Sequence, residues 1–114
     1  MPLLRVTSNQ EMPDEKQRDV IKQLSASVAE MLGKPENYVM IVLQVNKAMS
    51  FAGSDEPLAY VELKSLGLPE DKTTDFSTSI CQLVDYLLDI PPSRTYIEFS
   101  SPARHFWGWN SDTF

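Results

Sequence analysis

Pro2 is the residue with the most chemical promise in this sequence. Methionine aminopeptidases generally remove Met1 when the second residue is small, and proline qualifies. The product begins with a secondary amine. An α-amino group ordinarily titrates at about 7.7–8.0, and both an apolar pocket and a nearby cation disfavour its protonated form. Such an amine suits general base catalysis near neutral pH. On residue type alone, Pro2 is also a proline tolerated at the first position of a strand. Should Met1 stay attached, the nitrogen is a tertiary amide and no base.

Other chemistries are thinly supplied. Cys81 is the only cysteine and His105 the only histidine, so an internal disulfide and an ordinary zinc site are both excluded. His105 lacks the sequence partners of a nucleophilic triad, and no glycine-rich phosphate loop is present. No metal or cofactor is therefore expected. Acidic residues outnumber basic ones by 16 to 10, a net charge of -6. That balance argues against a nucleic-acid partner, which needs clustered cations. No apolar run approaches the roughly 20 residues that span a bilayer. The start, Met1-Pro2-Leu3-Leu4-Arg5, lacks a basic leader and a long apolar stretch, so a cytoplasmic protein without a signal peptide is expected.

The elements that must position Pro2 can be read from periodicity. At 114 residues the chain is expected to form a single domain over 1–114. Residues 2–7 read as a strand. Met12-Pro13-Asp14-Glu15 starts a helix, with acids near the positive end of its dipole. Val20, Ile21, Leu24, Val28, Met31 and Leu32 then recur at helical spacing, until Gly33 and Pro35 stop the helix. A strand follows at about 38–46, and Ala48 to Glu56 is a loop with its turn at Gly53-Ser54-Asp55. A strand at 57–66, a helix at about 71–89 and a strand around Tyr96-Ile97-Glu98-Phe99 complete a second unit. Pro91 and Pro92 end its helix. Cys81 falls on the apolar side of that helix, as a buried inert thiol. The tail, with Trp107-Gly108-Trp109 and Phe114, is long enough for a small hairpin.

The two halves also match each other. Leu32, Pro35 and Ile41 recur as Leu88, Pro91 and Ile97, offset by 56, while Pro2-Leu3 and Val6 recur as Pro57-Leu58 and Val61, offset by 55. An internal duplication is expected, with units at about 2–46 and 57–100. The fold class is α+β: two β-α-β repeats in a four-stranded mixed sheet, with both helices on one face. The opposite face then exposes apolar positions such as Met40 and Val42. At about 25 cal/mol per Å2 their exposure forfeits several kcal/mol, so a further subunit is expected to cover them.

Specific segments carry a resemblance. They are Pro2-Leu3, Leu32-Gly33-Lys34-Pro35, Met49-Ser50-Phe51-Ala52-Gly53-Ser54-Asp55-Glu56-Pro57, Ser65-Leu66-Gly67, Tyr96-Ile97 and Gly108-Trp109-Asn110. Occurring in this order over nearly the whole chain, they resemble the macrophage migration inhibitory factor family of the tautomerase superfamily. The resemblance implies a homotrimeric tautomerase-like fold, its sheets around a central channel. It implies cofactor-independent keto–enol tautomerisation of phenylpyruvate-like 2-oxo acids or dopachrome-type compounds. A cytokine-like signalling role with a vestigial pocket, a receptor partner and non-classical secretion is the alternative.

By the same resemblance Pro2 moves the proton and Lys34 binds the substrate carboxylate. Leu66 contacts substrate beside the proline, and Tyr96 is contributed by the neighbouring subunit. Trp107, Trp109 and Phe114 wall the pocket. From residue types alone, Lys34 is a solvated helix-end lysine, Leu66 core packing and Tyr96 structural. Two positions depart from the family pattern: Trp107 replaces a small aliphatic residue, and Glu98 replaces an asparagine that contacts substrate. A carboxylate at 98 would repel an anionic substrate and raise the pKa of Pro2, so weak activity is expected. Leu58-Ala59-Tyr60-Val61 stands where animal relatives carry Cys-Ala-Leu-Cys, which removes disulfide exchange by that route.

Overall fold

The computed structural model describes all 114 residues. Strand β1 (Leu3–Ser8) leads into helix α1 (Asp14–Leu32), a 3-10 turn at Glu36–Tyr38 and strand β2 (Met40–Gln44). The same order recurs in β3 (Ala59–Lys64), α2 (Thr73–Leu88), a 3-10 turn at Pro92–Arg94 and β4 (Thr95–Ser100). The tail forms a hairpin of two short strands, β5 (Gly108–Trp109) and β6 (Asp112–Thr113).

The sheet order is β2-β1-β3-β4. Each unit pairs its strands in parallel, and the units meet antiparallel along β1 and β3. This is the expected two-unit mixed sheet. Alternation along the strands divides its faces. Leu4, Val6, Ala59, Val61 and Leu63 are buried toward the helices, where they meet Val20, Leu24 and Val28 of α1 and Ile80, Val84, Leu87 and Leu88 of α2. At about 1.5–3 kcal/mol for each large aliphatic side chain removed from water, this layer dominates the folding energy.

Four expectations need correction. The strands are shorter than read: Tyr38 belongs to a 3-10 turn, and Pro57 and Leu58 precede β3. Residues 70–72 form a separate turn before α2. The open face is mostly polar, because register gathers the strands' polar alternates there. Arg5, Thr7, Gln44, Tyr60, Glu62, Lys64, Tyr96, Glu98 and Ser100 share it with only Leu3, Met40 and Val42. Covering an apolar sheet is thus no argument for a partner. Finally, the offset of 55 between the first strands is out of register. Leu4 lies beside Ile41 and Val61 lies beside Ile97, so Leu4 and Val61 are the counterparts, 57 apart.

Candidate active site

Helix α1 ends where its chain reverses into a left-handed turn. Gly33, at φ 63°, donates to the Glu30 carbonyl, and Lys34 N donates to the Ala29 carbonyl. Glycine adopts that conformation at no steric cost. The turn sends Lys34 across the ends of the sheet, where its Nζ donates to Ser65 Oγ at 2.8 Å and to the Leu66 carbonyl. Burial holds this ammonium below its ordinary pKa of 10.5.

Parallel pairing places the start of β2 beside the start of β1. Met40 N donates to the Pro2 carbonyl at 2.9 Å, and Pro2 itself is fully buried. A cavity of about 420 Å3 opens at this corner. Its walls are Met1, Pro2 and Leu3, then Asn37, Tyr38, Val39 and Met40, and on the tail side Trp107, Gly108, Trp109 and Phe114. Trp109 stacks on Phe114 with centroids 5.8 Å apart and meets Tyr38 edge-on, also at 5.8 Å. Phe114 N donates to the Trp107 carbonyl at 3.1 Å, which closes the tail over the opening.

The amino group of the chain, carried here by Met1, lies at this cavity. Burial and then the Lys34 charge hold it below the ordinary value of 8.0. An amine with an accessible lone pair, a cation and planar aromatic walls can take an aromatic anion and exchange a proton with it. Two larger depressions exist, near 770 Å3 beside β2 and 710 Å3 between the helices. Neither is lined by Met1 or Pro2, so chemistry places the site in the smaller one.

The residues anticipated from sequence fall into three groups. Pro2, Trp107, Trp109 and Phe114 meet at the cavity. Lys34 reaches it by charge, and Leu66 is tied to it through its carbonyl; the Leu66 side chain is buried and does not line the cavity. Tyr96 and Glu98 are elsewhere in the same protomer. Tyr96 aligns with Tyr60 and Thr7, and Glu98 with Glu62 and Arg5. From strand spacing, Tyr96 lies about 19 Å and Glu98 about 14 Å from Pro2. Glu98 consequently acts on a different group within the chain: burial, then the Glu98 and Glu62 carboxylates, push the Tyr60 phenol above its ordinary pKa. Arg5 pairs with Glu62 at 3.5 Å, and Glu98 has no such partner.

Sequence reading missed Tyr38 and Met40 as wall residues. Their signal was available, because parallel pairing obliges the residues entering the second strand to sit beside the first. Cys81 proves half-buried rather than fully buried. Burial raises its thiol pKa against an opposing Ser77 hydrogen bond, the condition of an unreactive cysteine. His105 packs against Phe106 on the exposed tail. No cluster of three acidic, histidine or cysteine residues has metal-binding geometry, and no helix is long and apolar enough to cross a membrane.

Known proteins with this arrangement are readily found. The structure is similar to a macrophage migration inhibitory factor homologue from Prochlorococcus marinus, with a TM-score of 0.91 at 38% identity over 98% of both chains. It is also similar to the factor from Trichinella spiralis, with a TM-score of 0.90 at 29% identity, covering 98% of this chain and 99% of that one. In sequence it is 33% identical over 120 residues to macrophage migration inhibitory factor of Xenopus tropicalis, spanning 100% of this chain and 99% of that protein. The family profile described as macrophage migration inhibitory factor (MIF) matches residues 1–114. With the fold, the full-length match and the sequence identity in agreement, this chain belongs to the macrophage migration inhibitory factor family.

Proposed function

We propose that the protein is a cofactor-independent keto–enol tautomerase for phenylpyruvate-like 2-oxo acids, working as a homotrimer. Membership of a family in the tautomerase superfamily supports an isomerase. The observation that carries the reading is the burial of the chain's first residues in an aromatic cavity beside Lys34. Once Met1 is removed, the Pro2 nitrogen inherits that environment as a neutral secondary amine. It takes a proton from one side of the enol–ketone system and returns it at the neighbouring position. Lys34 anchors the carboxylate, and its charge favours the neutral amine. Trp107, Trp109 and Phe114 hold the aryl ring, while the Leu66 carbonyl fixes the Lys34 ammonium.

Tyr96 and Glu98 complete a neighbouring subunit's site, since neither reaches its own Pro2. There the Tyr96 hydroxyl donates to the developing enolate oxygen. Glu98, set against an anionic substrate, weakens turnover; Glu98→Asn is expected to raise kcat/KM. The test of the whole reading follows the ultraviolet absorbance of enol phenylpyruvate, with Met1 loss verified by intact mass. The Pro2→Gly variant is expected to be nearly inactive, and equal rates for the two proteins would leave the reaction without its base.

The names of the frog, mouse and rat relatives favour a second reading, a cytokine-like signalling protein. Its signature is receptor binding that survives Pro2→Gly.

A further inference from the structure

The heaviest side-chain hydrogen bonding in the molecule converges on the loop before β3. Arg94, the last residue of the 3-10 turn at Pro92–Arg94, spends its guanidinium on four backbone carbonyls. Nε donates to Pro57 at 3.0 Å, Nη1 to Phe51 at 3.1 Å, and Nη2 to Ser54 and Glu56 at 3.0 Å each. Asn9 holds the same loop from β1's end, donating to Asp55 at 2.8 Å and accepting from Leu58 N at 3.0 Å. The loop tip is a two-residue turn in which Phe51 and Ser54 exchange hydrogen bonds of 2.9 and 3.0 Å. Ala52 is forced there to φ 53°, a conformation that a residue with a Cβ avoids.

This ordering serves little burial, since Ala52, Gly53, Asp55, Glu56 and Pro57 are exposed. What it fixes is an aromatic pair. Arg94 Cζ stands 5.4 Å from the Phe51 ring centroid, and Phe51 meets Tyr96 edge-on at 4.7 Å. Tyr96 is otherwise 65% exposed on the outer strand of the sheet, where a side chain free on its other sides samples several rotamers. With no acidic partner and four of its five donors engaged, Arg94 is unsuited to hold a ligand itself.

We propose that Arg94 is a positioning residue for tautomerisation, acting through Phe51 to hold Tyr96 in the orientation a neighbouring copy's Pro2 cavity requires. The inference rests on the tautomerase reading and names the device that sets one of its groups. The substrate's enolate oxygen gains its hydrogen bond in the transition state, so loss of alignment lowers kcat more than it raises KM.

The experiment is a double-mutant cycle on processed protein, with trimer formation verified by sedimentation. Arg94→Lys keeps the charge and loses the four-way clamp. Phe51→Leu keeps the clamp and removes the ring, and decides the matter if the first variant does not fold. Each is expected to lower kcat for enol phenylpyruvate by about tenfold, as Tyr96→Phe does, with double variants within about twofold of Tyr96→Phe alone. The rising limb of the pH profile stays in place, because the base is untouched. Multiplicative losses, an unchanged kcat in both single variants, or a silent Tyr96→Phe would overturn the proposal. Pro2→Gly keeps the two claims distinguishable: its inactivity preserves the tautomerase reading when the positioning claim fails, and its full activity sinks both.

Discussion

The two β-α-β units end their helices alike and then use the same corner for opposite purposes. Gly33 and Asp89 both turn the chain at positive φ, Pro35 and Pro91 follow, and each 3-10 turn delivers a parallel strand. In the first unit the residue after the turn is Lys34, half-exposed and charged beside the amino group. Its counterpart in the second unit is Ile90, which is 0% exposed. Where Tyr38 lines an open cavity, the equivalent Arg94 is saturated by the carbonyls of the 51–57 loop. Strand β3 is preceded by that loop, whose carbonyls take up the Arg94 guanidinium. The comparison teaches that the scaffold makes two equivalent corners, and that the 51–57 loop turns one of them into packing.

Substitutions at paired positions break the comparison most sharply. Pro2→Gly is expected to lower kcat/KM for enol phenylpyruvate by about 10²–10⁴-fold, the usual loss of a general base. The counterpart of Pro2 is Ala59, and Ala59→Gly is expected to cost only about 0.5–1 kcal/mol in urea unfolding, with kcat/KM within twofold. Equal activity losses at both positions would mean that folding, and not the amine, is being read.

Next in size is Ile90→Ala. Ile90 belongs to the buried core, so removing it leaves a cavity worth about 2–5 kcal/mol, seen as a lower urea midpoint. The matching change in the open corner, Lys34→Ala, removes a side chain whose ammonium is held below its ordinary pKa by burial. It is expected to leave the midpoint nearly unchanged. A midpoint loss as large as that of Ile90→Ala would show that both corners are packing.

The legibility of these corners in the sequence was uneven, and for physical reasons. Helices and strands were readable because Val20, Leu24 and Val28, or Ala59, Val61 and Leu63, repeat with the period of the face they bury. The wall residues Trp107, Trp109 and Phe114 followed from the family resemblance and fall at the cavity. The polar open face was not anticipated, because a strand read alone shows its own alternation and not its neighbours' register. Only pairing sets Glu62 beside Glu98 and Arg5 beside Glu62. Glu98 was tied to the Pro2 site by the family resemblance, and its effect on Tyr60 within the chain became visible only with the register. Arg94's role was illegible, since its four partners are backbone carbonyls and leave no trace in residue types.

Charge sharpens the comparison further, because only the open corner carries a titrating pair. Burial and Lys34 both lower the pKa of the amino group there. Removing the Lys34 charge therefore raises it, so the rising limb of kcat/KM against pH is expected to move upward in Lys34→Gln. KM for the carboxylate substrate should rise about tenfold as its cation is lost. A rising limb that stays in place while KM rises would assign Lys34 to binding alone and leave burial as the cause of the neutral amine.

The smallest expected effect comes from the turn that closes the open corner. Asn110 and Ser111 join β5 to β6 with φ of 52° and 64°, the positive pair of a two-residue hairpin turn that favours Asn-Gly. Asn110 suits its place; Ser111 does not, since its Cβ strains that conformation and it makes no side-chain hydrogen bond in return. Ser111→Gly relieves the strain but frees the unfolded chain, so the net gain is expected to be about 0.5 kcal/mol. The turn at the packed corner carries the same fault in its first position, at Ala52, so Ala52→Asn should gain a similar amount. Thermal melting of both variants separates strain from function. If strain at 111 only closes the tail, Ser111→Gly raises the Tm and leaves KM unchanged. A raised KM in that variant would show that the strained turn holds Trp109 and Phe114 against the cavity, and that the open corner stays open at a cost in stability.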